Sequence, residues 1–342
     1  MKRVGIEDIA REAGVSKATV DRVIHNRGSV RDDTASKVAE AAHRIAYYAS
    51  GLIDQRLSIK LPRIRFGFIL VKEKQEFYQA FSRELEAAVA TRKDIRGHSI
   101  TRFSPSQSPT DFATIMNELA EQVDVIACTA VDHYAVNEAT LALRQRGVPV
   151  FALLNDFAPS ARQHYIGLDN LRVGRIAAWM IATAVRQPGK VALFLGSNRW
   201  QGHELRETGF RSQLRQTDVN LELLDPVINL ETRKLTHETA LALLDRHVDL
   251  RGIYVAGGGM EGAVAALRET RSPGEVVLVV NELTSVSRAA LSDGYATMVI
   301  GTPLTELCHE TINLMACAAL KEYAQIPGQQ FLEPQIFLPP AV

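Results

Sequence analysis

The chain has 342 residues, of which 46% are hydrophobic and 23% charged, and its formal net charge is zero. That length exceeds one ordinary domain, and the composition is that of a globular chain with ample apolar material for its cores. No apolar run approaches the roughly 20 residues that span a bilayer, and Met1–Arg3 leads into an amphipathic pattern rather than a signal segment. A membrane partner and export are therefore not expected, and the chain is placed in the cytoplasm. Cys128, Cys308 and Cys317 are odd in number and lack ligand spacing, and the nine histidines do not cluster. They read as reduced thiols and isolated imidazoles, with no metal site.

The first elements form a small helical head. Ile6, Ile9, Ala10 and Ala13 lie on one face of a short helix. Gly14 suits its end, and Ser16 offers an oxygen to the first amides of a second helix whose buried face is Val20, Val23 and Ile24. Two short helices with a glycine in the turn make a helix-turn-helix, whose second helix enters a DNA major groove. A third helix from about Asp32 to Ala46 closes the core through Val38, Ala41, Ala42 and Ile45. Within residues 1–60 basic residues outnumber acidic ones by eleven to eight. With so small a surplus, binding must use paired heads and base contacts as well as counterion release.

Residues 4 to 57 resemble the DNA-binding head of the lactose-repressor (LacI/GalR) family of bacterial transcription regulators. The resemblance runs through Ile6, Asp8, Ile9, Ala10, then Ala13–Ser16, Ala18–Val20, Arg22, Val23, and the stretch from Thr34 to Tyr47. It implies that Lys17, Ala18 and Arg22 face the major groove, and that a hinge helix follows and enters the minor groove. The DNA-contacting set expected on this reading is Ser16, Lys17, Ala18, Thr19, Arg22, Asn26, Leu52, Arg56 and Leu57. Leu57 or Leu52 is the candidate for the wedge that unstacks base pairs. The chain departs from the family at Asp21, where a serine is usual. A carboxylate there repels phosphate unless it is paired, with Arg22 or Lys17 as candidate partners.

From Arg63 onward, short apolar runs alternate with helical patterns. The runs are Arg65–Val71, Val123–Ala130, Val148–Leu154, Val191–Leu195, Gly252–Ala256 and Glu275–Val280, and a helix is predicted over 78–92 after the first. Continuous apolar strands separated by helices imply parallel sheets covered on both faces. Ligands of such sheets bind beyond the carboxyl ends of the strands. Polar residues concentrate there, at Gln75–Tyr78, Asn155–Asp156, Asn198–Arg206, Gly257–Glu261, Asn281–Glu282 and Gly301–Thr302. An aromatic ring with carboxylates, amides and an arginine suits a polyhydroxylated ligand.

Residues 63 to about 340 are similar to the periplasmic sugar-binding fold that forms the effector domain of lactose-type regulators, nearest its ribose-type branch. The motifs are Tyr165–Asn170 with Gly174–Ala178, His203–Arg211, and Asn281–Thr284. The resemblance implies an effector site of Gln75, Phe77, Tyr78, Asn155, Asp156, Arg206, Gly257, Glu282 and Thr302, holding a monosaccharide or polyol without any cofactor. At Gly257 the family's asparagine is missing, so a widened pocket or backbone contacts are expected. The expected organisation is 1–48 for an all-α head, 49–62 for hinge helix and linker, and 63–342 for a two-lobed α/β effector domain. Lobe 1 is expected at about 63–165 and 302–325, and lobe 2 at about 166–300 and 326–342. The implied function is a homodimeric repressor of sugar or polyol genes, reading a pseudo-palindromic operator and answering to a ligand between the lobes.

A rival reading is an NAD-dependent oxidoreductase. Gly257, Gly259 and Gly262 satisfy the dinucleotide glycine spacing after a strand and before a helix, and Glu282 follows about 20 residues on. Against it, the motif lies in the last third of the chain rather than opening a nucleotide domain. No nucleophile elbow is present, so no catalytic residue is expected.

Overall fold

The computed structural model describes residues 4–25, 27, 30–53, 61–197, 199–217, 219–321 and 327–341. They divide into two compact units: one comprises residues up to 64 together with 92–98, the other the remainder.

In the head, α1 (Ile6–Ala13), α2 (Lys17–His25) and α3 (Asp32–Arg44) surround a core in which Ile9, Val20, Val38, Ala41 and Ala42 are fully buried. Gly14 ends α1 at φ 66°, the left-handed conformation in which its N–H reaches back to the carbonyls of Ala10 and Arg11. Ser16 Oγ accepts the Thr19 N–H at 3.1 Å and so caps α2. Residues 50–53 begin a further helical stretch, with Ile53 sealed into the head core and Leu52 exposed.

The body holds two sheets. The first contains β1 (Arg63–Leu70), β2 (Arg96–Phe103), β3 (Val125–Cys128), β4 (Val150–Leu153), β5 (His164–Leu168) and β12 (Gly328–Leu332), in the order β12-β5-β4-β3-β1-β2. Its pairings from β12 through β1 are parallel. The second contains β6 (Gly189–Leu195), β7 (Leu221–Leu223), β9 (Leu250–Val255), β10 (Val277–Asn281), β11 (Met298–Gly301) and β13 (Gln335–Phe337), ordered β13-β11-β10-β9-β6-β7, with the short β8 (Val227–Ile228) also on β6. All its pairings are parallel except β11 with β13. Each sheet has its own apolar core. Cys128 and Cys308 are buried, which raises both thiols well above their ordinary range.

One lobe assignment differs from expectation. β5 pairs with β4 through Ile166 and with β12 through Leu168, so the first crossing follows Leu168, close to the limit expected at about 165. The segment after 326 is shared: Gly328–Leu332 pairs with β5 in lobe 1, and only Gln335–Phe337 joins lobe 2. The buried Arg162 explains the first attachment, because its guanidinium donates to the Gly328 carbonyl at 2.6 Å and anchors that strand in lobe 1.

Candidate functional site

On the head, the second helix presents Lys17, Ala18 and Arg22 to solvent, with Thr19 half-buried. Lys17 Nζ lies 2.7 Å from Glu7 of α1. Asp21 pairs with His25 one turn on, at 3.4 Å. The expected partners of Asp21 were Lys17 or Arg22; the i,i+4 spacing instead brings His25 to it, while Lys17 is taken by Glu7. Leu52 is 55% exposed. Asn26, Arg56 and Leu57 lie outside the described residues.

In the body, the strand ends of both lobes line one cleft of about 400 Å³. Helix Asn170–Ala184 touches helix Gln201–Leu214 backbone to backbone through two glycines: a Cβ at Gly174 would stand 2.0 Å from the Arg206 carbonyl, and one at Gly209 2.0 Å from the Leu171 carbonyl. That approach delivers Arg206, whose Nε donates to Asn170 Oδ1 at 2.7 Å and whose Nη1 donates to the Ala256 carbonyl at 2.5 Å. Glu282 stands at φ 67° at the end of β10, and its carboxylate accepts the Thr302 N–H at 3.0 Å and the Thr302 hydroxyl at 2.7 Å. Burial pushes the Glu282 carboxyl up, against the pull of Thr302 and Arg206. Phe77 and Tyr78 meet edge to face at 5.2 Å. Gln75, Phe77, Tyr78, Asn155, Arg206, Gly257, Glu282 and Thr302 all line the cleft.

Asp156 does not line it. Both of its oxygens are held by Arg162, with Gln329 Nε2 adding a bond at 3.0 Å, so this carboxylate fastens β12 instead of facing a ligand. Two lining groups keep spare capacity: the buried Thr129 Oγ1 and Asn281 Oδ1 find no hydrogen-bond partner among the described residues. Such buried orphan atoms are costly unless a ligand or water meets them.

The cleft also contains residues outside the expected set: Lys72, Trp200, His203 and Glu231. Lys72 of lobe 1 forms an ion pair with Glu231 of lobe 2. Gln107 bridges the same gap, donating to Glu231 at 3.3 Å while its carbonyl accepts the Trp200 indole N–H at 3.1 Å. His203 Nδ1 accepts the Gly196 N–H at 3.1 Å, which leaves the proton of the neutral ring on Nε2, 3.8 Å from Glu231. Burial, with Arg206 and Lys72 nearby, drives His203 down to about 4 despite Glu231. Burial raises Glu231, but Lys72, His203 and the Gly258 N–H outweigh it and hold the carboxyl at about 2. Glu231 follows a strand of only two residues, too short to leave a sequence signal, whereas His203 and Trp200 sit within a stretch already marked as polar.

The glycine-rich turn bears on two expectations, the widened pocket at Gly257 and the dinucleotide site. A Cβ at Gly257 would meet His203 Cε1 at 2.5 Å and Glu231 Oε1 at 3.0 Å, so the space freed by this glycine is filled by the chain's own side chains rather than widening the pocket. Gly259 packs on Thr236, Gly262 on the Arg233 carbonyl, and the Gly258 N–H is already given to Glu231 at 3.0 Å. A pyrophosphate needs open space and free amides at such a turn. The Gly258 amide and the space around Gly259 and Gly262 are already taken by the chain itself, so the turn lends the dinucleotide reading no support.

Two families match the chain. The periplasmic binding protein domain matches residues 66–322, and the lacI family of bacterial regulatory proteins matches residues 5–50. Among curated relatives, the HTH-type transcriptional regulator DegA of Bacillus subtilis is 25% identical over 253 residues, covering 71% of this chain and 70% of the relative. The sucrose operon repressor of Lactococcus lactis is 25% identical over 232 residues, 65% of either chain. Among solved structures, a periplasmic solute-binding protein from Actinobacillus succinogenes with bound D-allose superposes with a TM-score of 0.74 at 17% identity, covering 81% of this chain and 98% of that one.

Proposed function

Because this chain belongs to the lacI family of bacterial regulatory proteins and carries a periplasmic binding protein domain behind its DNA-binding head, we propose that it represses carbohydrate or polyol utilisation genes and that a neutral sugar or polyol between its lobes sets its operator affinity. One observation carries the effector reading: a single cleft combines an aromatic pair, an arginine, a carboxylate doubly held by Thr302, and orphan polar atoms on Thr129 and Asn281. Rings stack on the C–H face of a sugar, and hydroxyls satisfy donors and acceptors alike. The reading is supported by the sucrose operon repressor among the relatives and by the D-allose-bound protein that shares the fold.

On this reading the protein is a cytoplasmic homodimer placing two heads on a pseudo-palindromic operator. A ligand shifts the lobes only by its differential affinity for their two arrangements. The test is operator binding by fluorescence anisotropy, on sites selected from genomic DNA, with and without a panel of sugars. Arg206→Ala should hold operator as tightly as the wild type and lose the sugar response, whereas a normal response would place the effector elsewhere.

A further inference from the structure

Glu231 is an unusual group to find in a cleft for hydroxyls. It lies at φ 55°, and Lys72, its partner across the lobes, at φ 52°, both in the left-handed region that side chains other than glycine seldom occupy. Such backbone persists where the surroundings over-determine it, as they do at binding sites. Here they do so through glycines: a Cβ at Gly196 would come within 2.5 Å of Glu231 Cγ, and Gly257 would crowd both His203 and the carboxylate. The Glu231 side chain is 9% exposed, and its oxygens accept from the Gly258 N–H, Lys72 and Gln107. A deliberate cradle therefore holds a carboxylate at the junction of the lobes.

Its electrostatic effect follows from its neighbours. Lys72, Lys74, Arg206 and Arg233 all line the cleft. The carboxylates of Glu76, Glu261 and Glu282 line it too, so without Glu231 the cleft would hold four cations against three anions, a surplus that favours an anionic ligand. Glu231 cancels Lys72 directly and adds a second buried negative charge, so a ligand phosphate, at about −1.5 to −2 near neutral pH, meets a like charge where its cation would otherwise be. A hydroxyl meets no such barrier, since it can donate to the carboxylate and accept from the ammonium.

We propose that Glu231, held across the cleft against Lys72, makes the site select uncharged polyhydroxylated effectors and reject their phosphate esters. This rests on the cleft being the effector site. The depressed Glu231 carboxyl, held at about 2, keeps the charge in place at every physiological pH. Rejection works through the charge and not through lack of room, so it is removable by an isosteric neutral side chain.

The experiment is calorimetric titration of the full chain with neutral pentoses and hexoses, D-arabinose and D-allose among them, and with the phosphate esters of the same sugars. The wild type should bind a neutral sugar on the order of tenfold or more tighter than its ester. Glu231→Gln should shrink or invert that ratio, and Lys72→Gln, which leaves Glu231 uncompensated, should widen it. The opposite signs keep the test decisive if one variant fails to fold. An ester bound as tightly as the neutral sugar by the wild type, or a ratio unmoved in the folded variants, overturns the role of Glu231 while leaving the effector site standing. A wild type that binds no sugar of either kind overturns the effector reading and this proposal together.

Discussion

His203 ties the cleft to pH in a direction that can be worked out. Its folded value, about 4, lies below the ordinary 6.5, so between those values the unfolded chain binds a proton that the folded chain refuses. Stability is complete above about pH 6.5 and falls as the pH drops from there toward 4. The gap is worth on the order of 3 kcal/mol. Glu231, depressed from 4.5 to about 2, adds a second loss at lower pH, beginning as the pH falls below about 4.5. Thermal midpoints of the body should therefore decline between pH 7 and 5. His203→Asn keeps an acceptor for the Gly196 N–H and should flatten that decline; a decline of undiminished slope would assign it to other groups. In the head, Asp21 leaves a carboxylate on a helix expected to face phosphates, compensated by His25 only when the imidazole is protonated. Asp21→Asn should tighten operator binding by about 1 kcal/mol, the scale of one contact between exposed charges, as read by anisotropy at fixed salt.

The contact between helices Asn170–Ala184 and Gln201–Leu214 depends on Gly174 and Gly209. Alanine at 209 drives a methyl into the Leu171 carbonyl, so the helices must separate. Gly209→Ala should destabilise the body by roughly 1–3 kcal/mol, measured by denaturant midpoint. It should also weaken the sugar response, because Arg206 lies one turn earlier on the same helix; an unaltered response would uncouple the glycine contact from the site. Elements such as these were legible because their sequence repeats the period of their burial. The head helices and the central strands β1, β3, β4, β6, β9 and β10 are apolar runs or stripes whose burial the pattern dictates. β2, with exposed Arg96, Gly97 and His98, stands at a sheet edge and shows no such run. β7, β8 and β12 are short or half-exposed and likewise silent. The same physics governed the site: Arg206 and Glu282 belong to motifs that a family resemblance can carry. The placement of Asp156 and Glu231 is set by Arg162 and Lys72, partners that only the folded chain brings together.

For the whole molecule, the proposed regulator is a statement about coupling, and coupling is reciprocal. Interlobe bonds, among them Lys72–Glu231, Gln107–Trp200 and Glu76 to Ser285 at 2.7 Å, join the lobes in one arrangement. An effector that favours this arrangement over an open one shifts the balance by its affinity difference and by nothing else. If operator DNA distinguishes the same two arrangements, effector must change operator affinity by some factor, and operator must change effector affinity by the same factor. Factors of 5 to 150, about 1–3 kcal/mol, are typical. Measuring the effector dissociation constant on free protein and on protein saturated with operator, alongside the operator constant with and without effector, closes the cycle. Equal factors are expected. Unequal ones would mean that more than two global states, or a change in assembly, intervene. Repeating the cycle with Ser285→Ala, which loses the hydroxyl that Glu76 accepts but keeps the backbone N–H, should lower the closed population. The apparent effector affinity should then fall while the intrinsic operator affinity of each global state stays as it was.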